Sequence, residues 1–422
     1  MSEMQQLVET LGRQAREASS DLMGTRGAQR NAALLAMAAA LRAAAGDLIA
    51  ANAIDVAAAE ATGLARPTIE RLKLTEKRVE SMAAGVESIA RQTDPVGQTI
   101  EGFVRPDGLR IEKRRVPIGV VLFFYESRPN VTSDAAALCV KSGNAIILRG
   151  GKEAIHSNRA ISAIIASSLA GAGLPRHAVQ IVDNTDRALV PLILKLDRHI
   201  DLVIPRGGES LIRTVVAEST IPVLKHFTGN CHLYVDAAID GIEQQVVDVC
   251  VNAKTSYPGG AVCNAVEHIL VHRDAAPRIL KPLCEALAAQ AVEVRGDEST
   301  RKLFAPAKPA TDADWDEEYL SFTVGVRVVD SLDEAVRHIN RHGSHHTDGI
   351  LSTSSAAIDA FVTRVDSASV MVNASTRIAD GGEYQLGAEI GISTDKLHAR
   401  GPMGAADLTT YKWIVTGNGH LR

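Results

Sequence analysis

With 422 residues, the chain is longer than one hydrophobic core normally fills, so two or three domains are expected. Its formal net charge of −5, with acidic and basic residues intermixed, argues against a nucleic-acid-binding surface. The longest apolar stretch, residues 32–41, is too short to cross a bilayer, and the N-terminus lacks the pattern of a secretory signal. We therefore expect a soluble, cytoplasmic protein that binds neither nucleic acid nor membrane.

The N-terminal part of the chain predicts helices followed by a β-hairpin. Apolar residues recur at helical spacing through the alanine-rich segment 28–45. The β-rich runs 100–104 and 109–116 then flank the turn sequence Arg-Pro-Asp-Gly at 105–108. Because a two-stranded hairpin alone is marginally stable in water, a neighbour such as a second subunit is expected to cover it.

From residue 117 onward, short apolar runs typical of strands alternate with helical stretches. The first series has strands 120–124, 145–148, 178–182, 202–204 and 222–224, with helices 133–141, 153–170, 187–196 and 209–218 between them. The second series has strands 231–236, 267–271 and 325–329, with helices from about residue 242 and at 275–290. This alternation predicts the α/β fold class, with parallel sheets covered by helices on both faces.

Cys263 lies in a glycine-rich segment, 258–265, directly before the apolar run 269–271. A thiol presented by small neighbours in a bend is typical of enzymes that use a covalent acyl intermediate. Free cysteine is also among the most buried residue types, so this segment alone leaves a nucleophile and a buried thiol as open alternatives. The odd number of cysteines, without a Cys-x-x-Cys pair, indicates free thiols in a reducing compartment.

Two glycine loops follow predicted strands of the first series. One contains Arg149 and Lys152 around a Gly-Gly pair, and the other contains Gly207 and Gly208. Parallel sheets bind ligands at the carboxyl ends of their strands and at helix N-termini, so these loops are candidates for a dinucleotide. The two basic side chains would suit a 2′-phosphate. Neither loop matches G-x-G-x-x-G, and an ordinary tight turn remains the alternative.

Polar clusters mark the C-terminal third. Three histidines lie in the segment 342–349, but tetrahedral sites usually take ligands from separated positions, so we predict no metal and favour a polar loop near a substrate. Ser375, Thr376 and Arg377 form a second cluster that could bind a carboxylate, since arginine offers two parallel donors. A structural ion pair is the alternative for this arginine.

Ten segments occur in a characteristic order along nearly the whole chain. They are residues 117–120, 125–132, 141–153, 204–208, 229–232, 262–265, 342–344, 374–377, 391–394 and 397–402. Together they resemble the γ-glutamyl phosphate reductase (glutamate-5-semialdehyde dehydrogenase) family of the aldehyde dehydrogenase superfamily. The resemblance implies NADPH-dependent reduction of L-glutamyl 5-phosphate to L-glutamate 5-semialdehyde with phosphate release, the second step of proline biosynthesis. An oxidative dehydrogenase for the semialdehyde of another small acid is the alternative.

The resemblance also implies an architecture and partners. A cofactor-binding domain would span residues 1–230 and carry a projecting hairpin at about 99–117. A catalytic domain with Cys263 would span 231–373, and residues 374–422 would return to the first domain and form an oligomerisation tail. A homo-oligomer, dimer or tetramer, and functional coupling to glutamate 5-kinase are implied as well.

By position in the family motifs, Cys263 is the nucleophile that forms a thioacyl enzyme. The Asn130 side chain and the Cys263 backbone N–H would stabilise the oxyanion. NADPH would be bound by Arg149, Lys152, Gly207, Gly208 and, at the nicotinamide ribose, Glu318.

Two differences accompany these assignments. Hydrolytic relatives carry a glutamate base in the stretch that corresponds to 226–229, and its absence favours acyl-phosphate reduction over hydrolysis. The segment before Cys263 is longer than is common in the family, with Tyr257 where a basic residue is frequent.

Overall fold

A computed structural model describes residues 2–422 and separates them into two compact units. Unit 1 runs to Lys225 and adds Gln385–Gly391 and Met403–Arg422, whereas unit 2 comprises His226–Tyr384 and Ile392–Pro402. The sequence placed the boundaries at 230 and 373, and the structure places residues 374–384 with unit 2. Two hydrogen bonds hold this segment there: Asn264 Nδ2 donates to the Ala379 oxygen at 2.9 Å, and the Tyr384 hydroxyl donates to Ser369 Oγ at 3.1 Å.

Unit 1 contains a four-stranded parallel sheet with strand order β5-β4-β3-β6, as well as a β-hairpin. Its helices are α1 (Glu3–Met23), α2 (Gly27–Ala43), α3 (Ala45–Ala61), α4 (Arg66–Leu72), α5 (Glu76–Arg91), α6 (Asn130–Lys141), α7 (Ile155–Gly171), α8 (Leu189–Ile193) and α9 (Glu209–Glu218). Its strands up to this point are β1 (Thr99–Val104), β2 (Arg110–Pro117), β3 (Val120–Tyr125), β4 (Ala145–Arg149), β5 (Val179–Ile181) and β6 (Leu202–Arg206). Every residue of β3 and β4 is buried, which explains their continuous apolar sequences.

One predicted strand of unit 1 is wrong. The run 222–224 does not form a strand and makes only an isolated parallel bridge between Val223 and Val203. Pro222 lacks the backbone N–H that a regular ladder requires, so pairing cannot extend through it.

Unit 2 contains a seven-stranded parallel sheet with the order β10-β9-β11-β8-β7-β12-β13, so both parallel sheets predicted from the sequence are confirmed. Its strands are β7 (Cys231–Val235), β8 (Val266–His272), β9 (Glu293–Gly296), β10 (Lys308–Pro309), β11 (Thr323–Val329), β12 (Thr347–Leu351) and β13 (Ser369–Val372). Its helices are α10 (Glu243–Thr255), α11 (Ala276–Ala289), α12 (Glu298–Leu303), α13 (Leu332–His342) and α14 (Ser355–Arg364). A core of aliphatic side chains from α10, α11 and the central strands holds these layers together.

The predicted hairpin is confirmed, and a third strand extends it. Two short strands, β14 (Gly391–Ser393) and β15 (Gly401–Met403), precede the C-terminal strand β16 (Thr409–Thr416). β16 pairs antiparallel with β2, which also pairs with β1. Phe103 and Trp413 remain 55% and 52% exposed on this three-stranded sheet.

Among the described residues no single helix is long and apolar enough to span a bilayer, although the bent pair α2 and α3 passes that test by length and composition.

Candidate active site

The Cys263 loop connects α10 to β8 through a glycine turn. Gly259 and Gly260 have φ angles of 70° and 66°, a region that side chains other than glycine rarely adopt. Gly260 also packs closely, because a Cβ there would lie 2.8 Å from the Ser321 carbonyl oxygen. The two glycines therefore allow the chain to reverse and present Cys263 just before the strand.

Cys263 differs from the other four cysteines in burial. Its side chain is half-buried, whereas Cys139, Cys231, Cys250 and Cys284 are buried. Burial raises the pKa of each of these four thiols, that of Cys284 to about 12. These four groups remain protonated and inaccessible, so Cys263 is the thiol suited to react with a substrate.

Contacts from β7 and its preceding loop hold the Cys263 backbone. The Cys231 thiol donates a hydrogen bond to the Cys263 carbonyl oxygen at 3.1 Å. Gly229 packs so tightly against the same carbonyl that a Cβ would lie 1.9 Å from its oxygen. The Gly229 N–H donates to Glu318 Oε1 at 2.7 Å, which places Glu318 beside this loop. The proposed contact of Glu318 with a nicotinamide ribose stays a prediction.

Two histidines from distant parts of the chain surround the Cys263 thiol. His226 and His346 each bring a ring nitrogen into a group in which all three ligand atoms lie within 4.8 Å of one another. His226 precedes β7, Cys263 precedes β8 and His346 precedes β12, and these three strands are neighbours in the sheet. Adjacent strands are about 4.8 Å apart, so residues at their amino ends come together.

The other two histidines of the 342–346 segment face different partners. His342 Nδ1 lies 2.7 Å from Asp316 Oδ1, and His345 Nδ1 lies 2.6 Å from the Asp366 carbonyl oxygen. The sequence grouped all three histidines into one polar loop, but only His346 joins Cys263. His226 had no role of its own assigned from the sequence: it belongs to the stretch 226–229, which lacks the glutamate of hydrolytic relatives. Its approach to the thiol could not be found without the strand order.

The predicted carboxylate-binding segment packs near the Cys263 loop. Asn264 Nδ2 donates to the Arg377 carbonyl oxygen at 3.5 Å, and the Arg377 guanidinium lies 5.4 Å from the centre of the Tyr257 ring. Arg377 is half-buried, whereas Ser375 and Thr376 are 8% and 0% exposed. Ser375 Oγ accepts from the Arg377 N–H at 3.3 Å, so it supports the turn. Of the three side chains, only that of Arg377 is not buried, and substrate binding by this segment stays a prediction.

Unit 1 has a cleft of about 1300 Å³ at the carboxyl ends of its strands. The lining includes Arg149, Lys152 and Gly208, all predicted to bind the cofactor. The Gly208 N–H, at the N-terminus of α9, donates to Glu126 Oε2 at 3.0 Å. A Cβ on Gly207 would lie 2.7 Å from the Glu126 carboxyl group, so this glycine allows the loop to pack against the cleft wall.

The cleft is large enough for a nicotinamide dinucleotide, and Lys152 lines it with a cationic donor. Among described atoms, nothing lies within 4 Å of the position of a Cβ on Gly208, so the backbone is open to a ligand there. Lys152 is exposed, whereas Arg149 is buried and donates to the carbonyl oxygens of Asp186 and Gly150 at 3.1 and 3.3 Å. Burial lowers the pKa of Arg149. Lys152 is thus the cationic side chain more accessible to a phosphate.

Asn130, predicted to stabilise the oxyanion, is the first residue of α6 and follows β3 in unit 1. Its Nδ2 donates to Asp134 Oδ2 at 3.0 Å, and burial raises the pKa of this carboxyl group to about 6. An amide carries two N–H groups, so one remains for a ligand while Asp134 orients the other. The role of Asn130 in catalysis stays a prediction.

Comparisons with known proteins agree with the resemblance read from the sequence. The aldehyde dehydrogenase family model matches residues 2–303. γ-Glutamyl phosphate reductase of Rhodospirillum rubrum is 53% identical over 412 residues, covering 98% of this chain and 96% of that protein. The enzyme of the same name from Moorella thermoacetica is 49% identical over 416 residues, 98% of each chain. The chain belongs to the γ-glutamyl phosphate reductase branch of the aldehyde dehydrogenase family.

One solved structure supports the same assignment, and a more distant one shares the fold. The crystal structure of γ-glutamyl phosphate reductase from Thermotoga maritima has a TM-score of 0.95 and 42% identity, covering 98% of this chain and 99% of that one. An engineered glycolyl-CoA reductase with bound NADP⁺ shares the fold, with a TM-score of 0.69 and 14% identity. The aldehyde dehydrogenase fold predicted from the sequence is confirmed, and the family uses a nicotinamide cofactor.

Proposed function

We propose that this protein reduces L-glutamyl 5-phosphate to L-glutamate 5-semialdehyde and releases phosphate, the second step of proline biosynthesis. One observation carries the proposal: relatives of this name are about half identical to the chain over nearly its full length. The half-buried Cys263, in a loop built from glycines, supplies the nucleophile that the reaction needs. Five free thiols fit a cytoplasmic location.

The Cys263 thiolate attacks the acyl carbon of the mixed anhydride. The C–S bond forms, the C–O bond to phosphate breaks, and phosphate leaves with the electron pair, so that a thioester remains on the enzyme. The tetrahedral intermediate carries an oxyanion, which the Cys263 backbone N–H would stabilise. We assign the same task to the free N–H of the Asn130 amide, and losing one such donor costs about 2.7–4 kcal/mol of barrier.

The unit 1 cleft would hold the cofactor, and we propose NADPH. When bound, the reduced nicotinamide supplies the hydride that brings the thioester to the oxidation level of an aldehyde. Lys152 would pair with a phosphate of the cofactor. Arg149 would support the cleft through its hydrogen bonds to the backbone at Gly150 and Asp186. The backbone at Gly208 would approach the ligand closely. Glu318 would hold the ribose next to the nicotinamide.

Arg377 is our candidate for binding the substrate carboxylate. Its guanidinium stacks on Tyr257, which lies in the segment leading to Cys263. The stacking would restrict the arginine and leave its two parallel donors for a carboxylate. The longer segment before Cys263 would then serve to place Tyr257, with the buried Ser375 supporting the turn.

We also propose a homo-oligomer, dimer or tetramer, in which a second copy covers the three-stranded antiparallel sheet. Phe103 and Trp413 would contribute apolar area, and β1 and β16 are edge strands that leave backbone groups exposed. Sedimentation velocity of the full chain tests this proposal, and a monomer at micromolar concentration would contradict it. An acyl phosphate is labile in water. We therefore also propose functional coupling to glutamate 5-kinase, which would supply the substrate.

The function is tested in reverse, as NADP⁺ reduction by glutamate semialdehyde with and without phosphate. We expect activity that requires phosphate in the wild type, and its loss in Cys263→Ala but not in the matched control Cys250→Ala. In the same assay Arg377→Ala should raise the substrate KM while leaving the cofactor KM unchanged. Activity without phosphate would instead indicate a hydrolytic dehydrogenase, absence of activity with this aldehyde would favour the oxidative dehydrogenase of another small acid, and reduction of NAD⁺ in preference to NADP⁺ would overturn the choice of cofactor.

A further inference from the structure

We propose that His226, Cys263 and His346 form a binding site for a divalent cation of the zinc class, and that its occupancy reversibly inhibits the enzyme. The binding part is independent of the proposed function. The inhibition part rests on that function, because it requires Cys263 to be the nucleophile. A bound cation draws electron density from the thiolate and places the ion and its histidine ligands beside the sulfur, so that Cys263 becomes a weaker and less accessible nucleophile.

The separation of the three ligand atoms suits a zinc-class ion after a small adjustment. All three atoms lie within 4.8 Å of one another. Tetrahedral zinc, with bonds of about 2.0–2.3 Å, places neighbouring ligand atoms roughly 3.3–3.6 Å apart. Closing this gap of about 1 Å requires side-chain rotations, which the loop positions of His226 and Cys263 allow.

The rings of both histidines are held by other groups, as is usual around metal ligands. His226 Nδ1 donates to the Ile392 carbonyl oxygen at 2.8 Å, so its Nε2 carries the lone pair that can bind a cation. His346 is buried, and its Nδ1 lies 2.9 Å from Thr347 Oγ1. Such hydrogen bonds orient an imidazole and strengthen its metal binding.

The donor set selects the class of ion. One thiolate and two imidazoles favour zinc and other borderline-soft cations, whereas magnesium and calcium require oxygen ligands. Cys263 and His226 are half-buried, so solvent can supply a fourth ligand. Three protein ligands with an open position resemble a reversible site more than a closed structural one.

The position of the site explains why a cation would inhibit. The three ligands precede three adjacent strands of a rigid seven-stranded sheet, so they come together whether or not substrate is present. Both events require the Cys263 thiolate: acylation turns it into a neutral thioester sulfur, which is a poor metal ligand, and a bound cation lowers its nucleophilicity. The two events therefore exclude each other, and the substrate should protect the enzyme from the cation.

Binding is measured first, without turnover, on the reduced and chelator-treated full-length protein. Titration with Co²⁺ should produce a thiolate-to-cobalt charge-transfer band in the near ultraviolet, and equilibrium dialysis with Zn²⁺ should give one ion per chain. His226→Asn and His346→Asn should each weaken Zn²⁺ binding by at least about tenfold, and Cys263→Ser should abolish the band. His345→Asn is the matched control, since His345 neighbours His346 but faces Asp366. Equal affinity in all variants, or no thiolate band, would overturn the site.

Inhibition is then measured separately with buffered Zn²⁺ and reversal by EDTA. Zinc should inhibit the wild type and His345→Asn at the same concentration that fills the site in dialysis, and a chelator should restore activity. A protein that binds Zn²⁺ through Cys263 but lacks phosphate-dependent activity would refute the proposed function and leave the metal site standing. An active enzyme that binds no Zn²⁺ would refute the metal site alone.

Discussion

The two parallel sheets of this protein present their functional residues at opposite ends. In unit 1 the glycine loops follow β4 and β6, so the cleft that we propose for the cofactor lies at the carboxyl ends of the strands. In unit 2 His226, Cys263 and His346 precede β7, β8 and β12 and lie at the amino ends. The rule that open α/β sheets bind ligands at their carboxyl ends therefore describes the cleft but not the reactive thiol.

The difference follows from what each site needs. A dinucleotide requires backbone N–H groups and space, which helix N-termini after a strand supply. A nucleophile requires one side chain in a defined place, and the start of a buried strand holds its backbone firmly. Gly229 and the Cys231 thiol both contact the Cys263 carbonyl group, which shows how closely the amino-end loops pack.

The largest expected effect concerns the buried ion pair beside the Cys263 loop. Lys254 Nζ lies 2.7 Å from Glu267 Oε2, with both side chains fully buried. Burial lowers the pKa of Lys254 and raises that of Glu267, so each charge depends on the other. Lys254→Met leaves an uncompensated buried carboxylate and should lower the free energy of unfolding by about 3–5 kcal/mol. Urea denaturation measures this change.

A double variant serves as the control for this ion pair. Lys254→Met with Glu267→Leu removes both charges and should recover most of the lost stability. Alkylation of Cys263 should become faster in the single variant, because the loop is less firmly held, while NADPH binding by unit 1 stays unchanged. A single variant as stable as the double one would contradict the assigned role of the pair.

A substitution in unit 1 should have the opposite effects: it should weaken cofactor binding and leave folding and Cys263 unchanged. Gly208 has φ −63° and ψ 155°, angles that any residue adopts, and a Cβ there meets no described atom within 4 Å. Gly208→Val should therefore fold normally but project two methyl groups into the cleft. Overpacking costs about 1–3 kcal/mol, so the cofactor KM should rise by about fivefold to 150-fold. Steady-state kinetics with NADP⁺ measure the effect.

Gly46 offers a matched control for this substitution. It lies in α3, and a Cβ there also meets no described atom within 4 Å, but Gly46 does not line the cleft. Gly46→Ala should leave the cofactor KM unchanged, and neither variant should alter the alkylation rate of Cys263. A Gly208→Val enzyme with normal cofactor KM would place the cofactor elsewhere.

Local signals in the sequence predicted the cleft and the thiol but not the histidines. Glycine pairs after apolar runs marked the loops at Arg149 and Gly208, and a glycine-rich bend marked Cys263. The residues that join Cys263 are distant in sequence, and only the strand order β8-β7-β12 brings them together. His345 and His346 are neighbours in the chain yet contact different partners, which no local pattern distinguishes.

The same limit applies to the fold: local patterns in the sequence predicted the parallel sheets, but not pairing between distant segments. Alternating apolar runs identified both parallel sheets, because buried strands leave continuous β-branched sequences. The C-terminal strand β16 was not identified as a strand, since Tyr411 and Trp413 are exposed and its stability depends on pairing with the distant β2. Pairing between segments far apart in the chain is decided by tertiary contacts, which propensity does not report.

The smallest expected effect is a pH dependence confined to unit 2. His338 is 5% exposed and its ring lies 5.5 Å from that of His232, so burial and neighbouring histidines lower its pKa to about 2. An unfolded histidine has a pKa of about 6.5. As the pH falls below that value, the unfolded state binds a proton that the folded state does not. Stability is therefore full above about pH 6.5 and decreases as the solution becomes more acidic.

Between pH 7.5 and 5.5 this histidine should reduce the free energy of unfolding by about 1.4 kcal/mol. Trp315 lies in unit 2 and Trp413 in unit 1, so fluorescence of a Trp413→Phe variant reports on unit 2 alone. In that background His338→Gln should flatten the pH dependence, while replacement of the exposed His177 by glutamine should not. An unchanged slope in His338→Gln would mean that other groups take up the protons on unfolding. His268 is the first candidate, because burial also holds its pKa well below the usual range in the folded state.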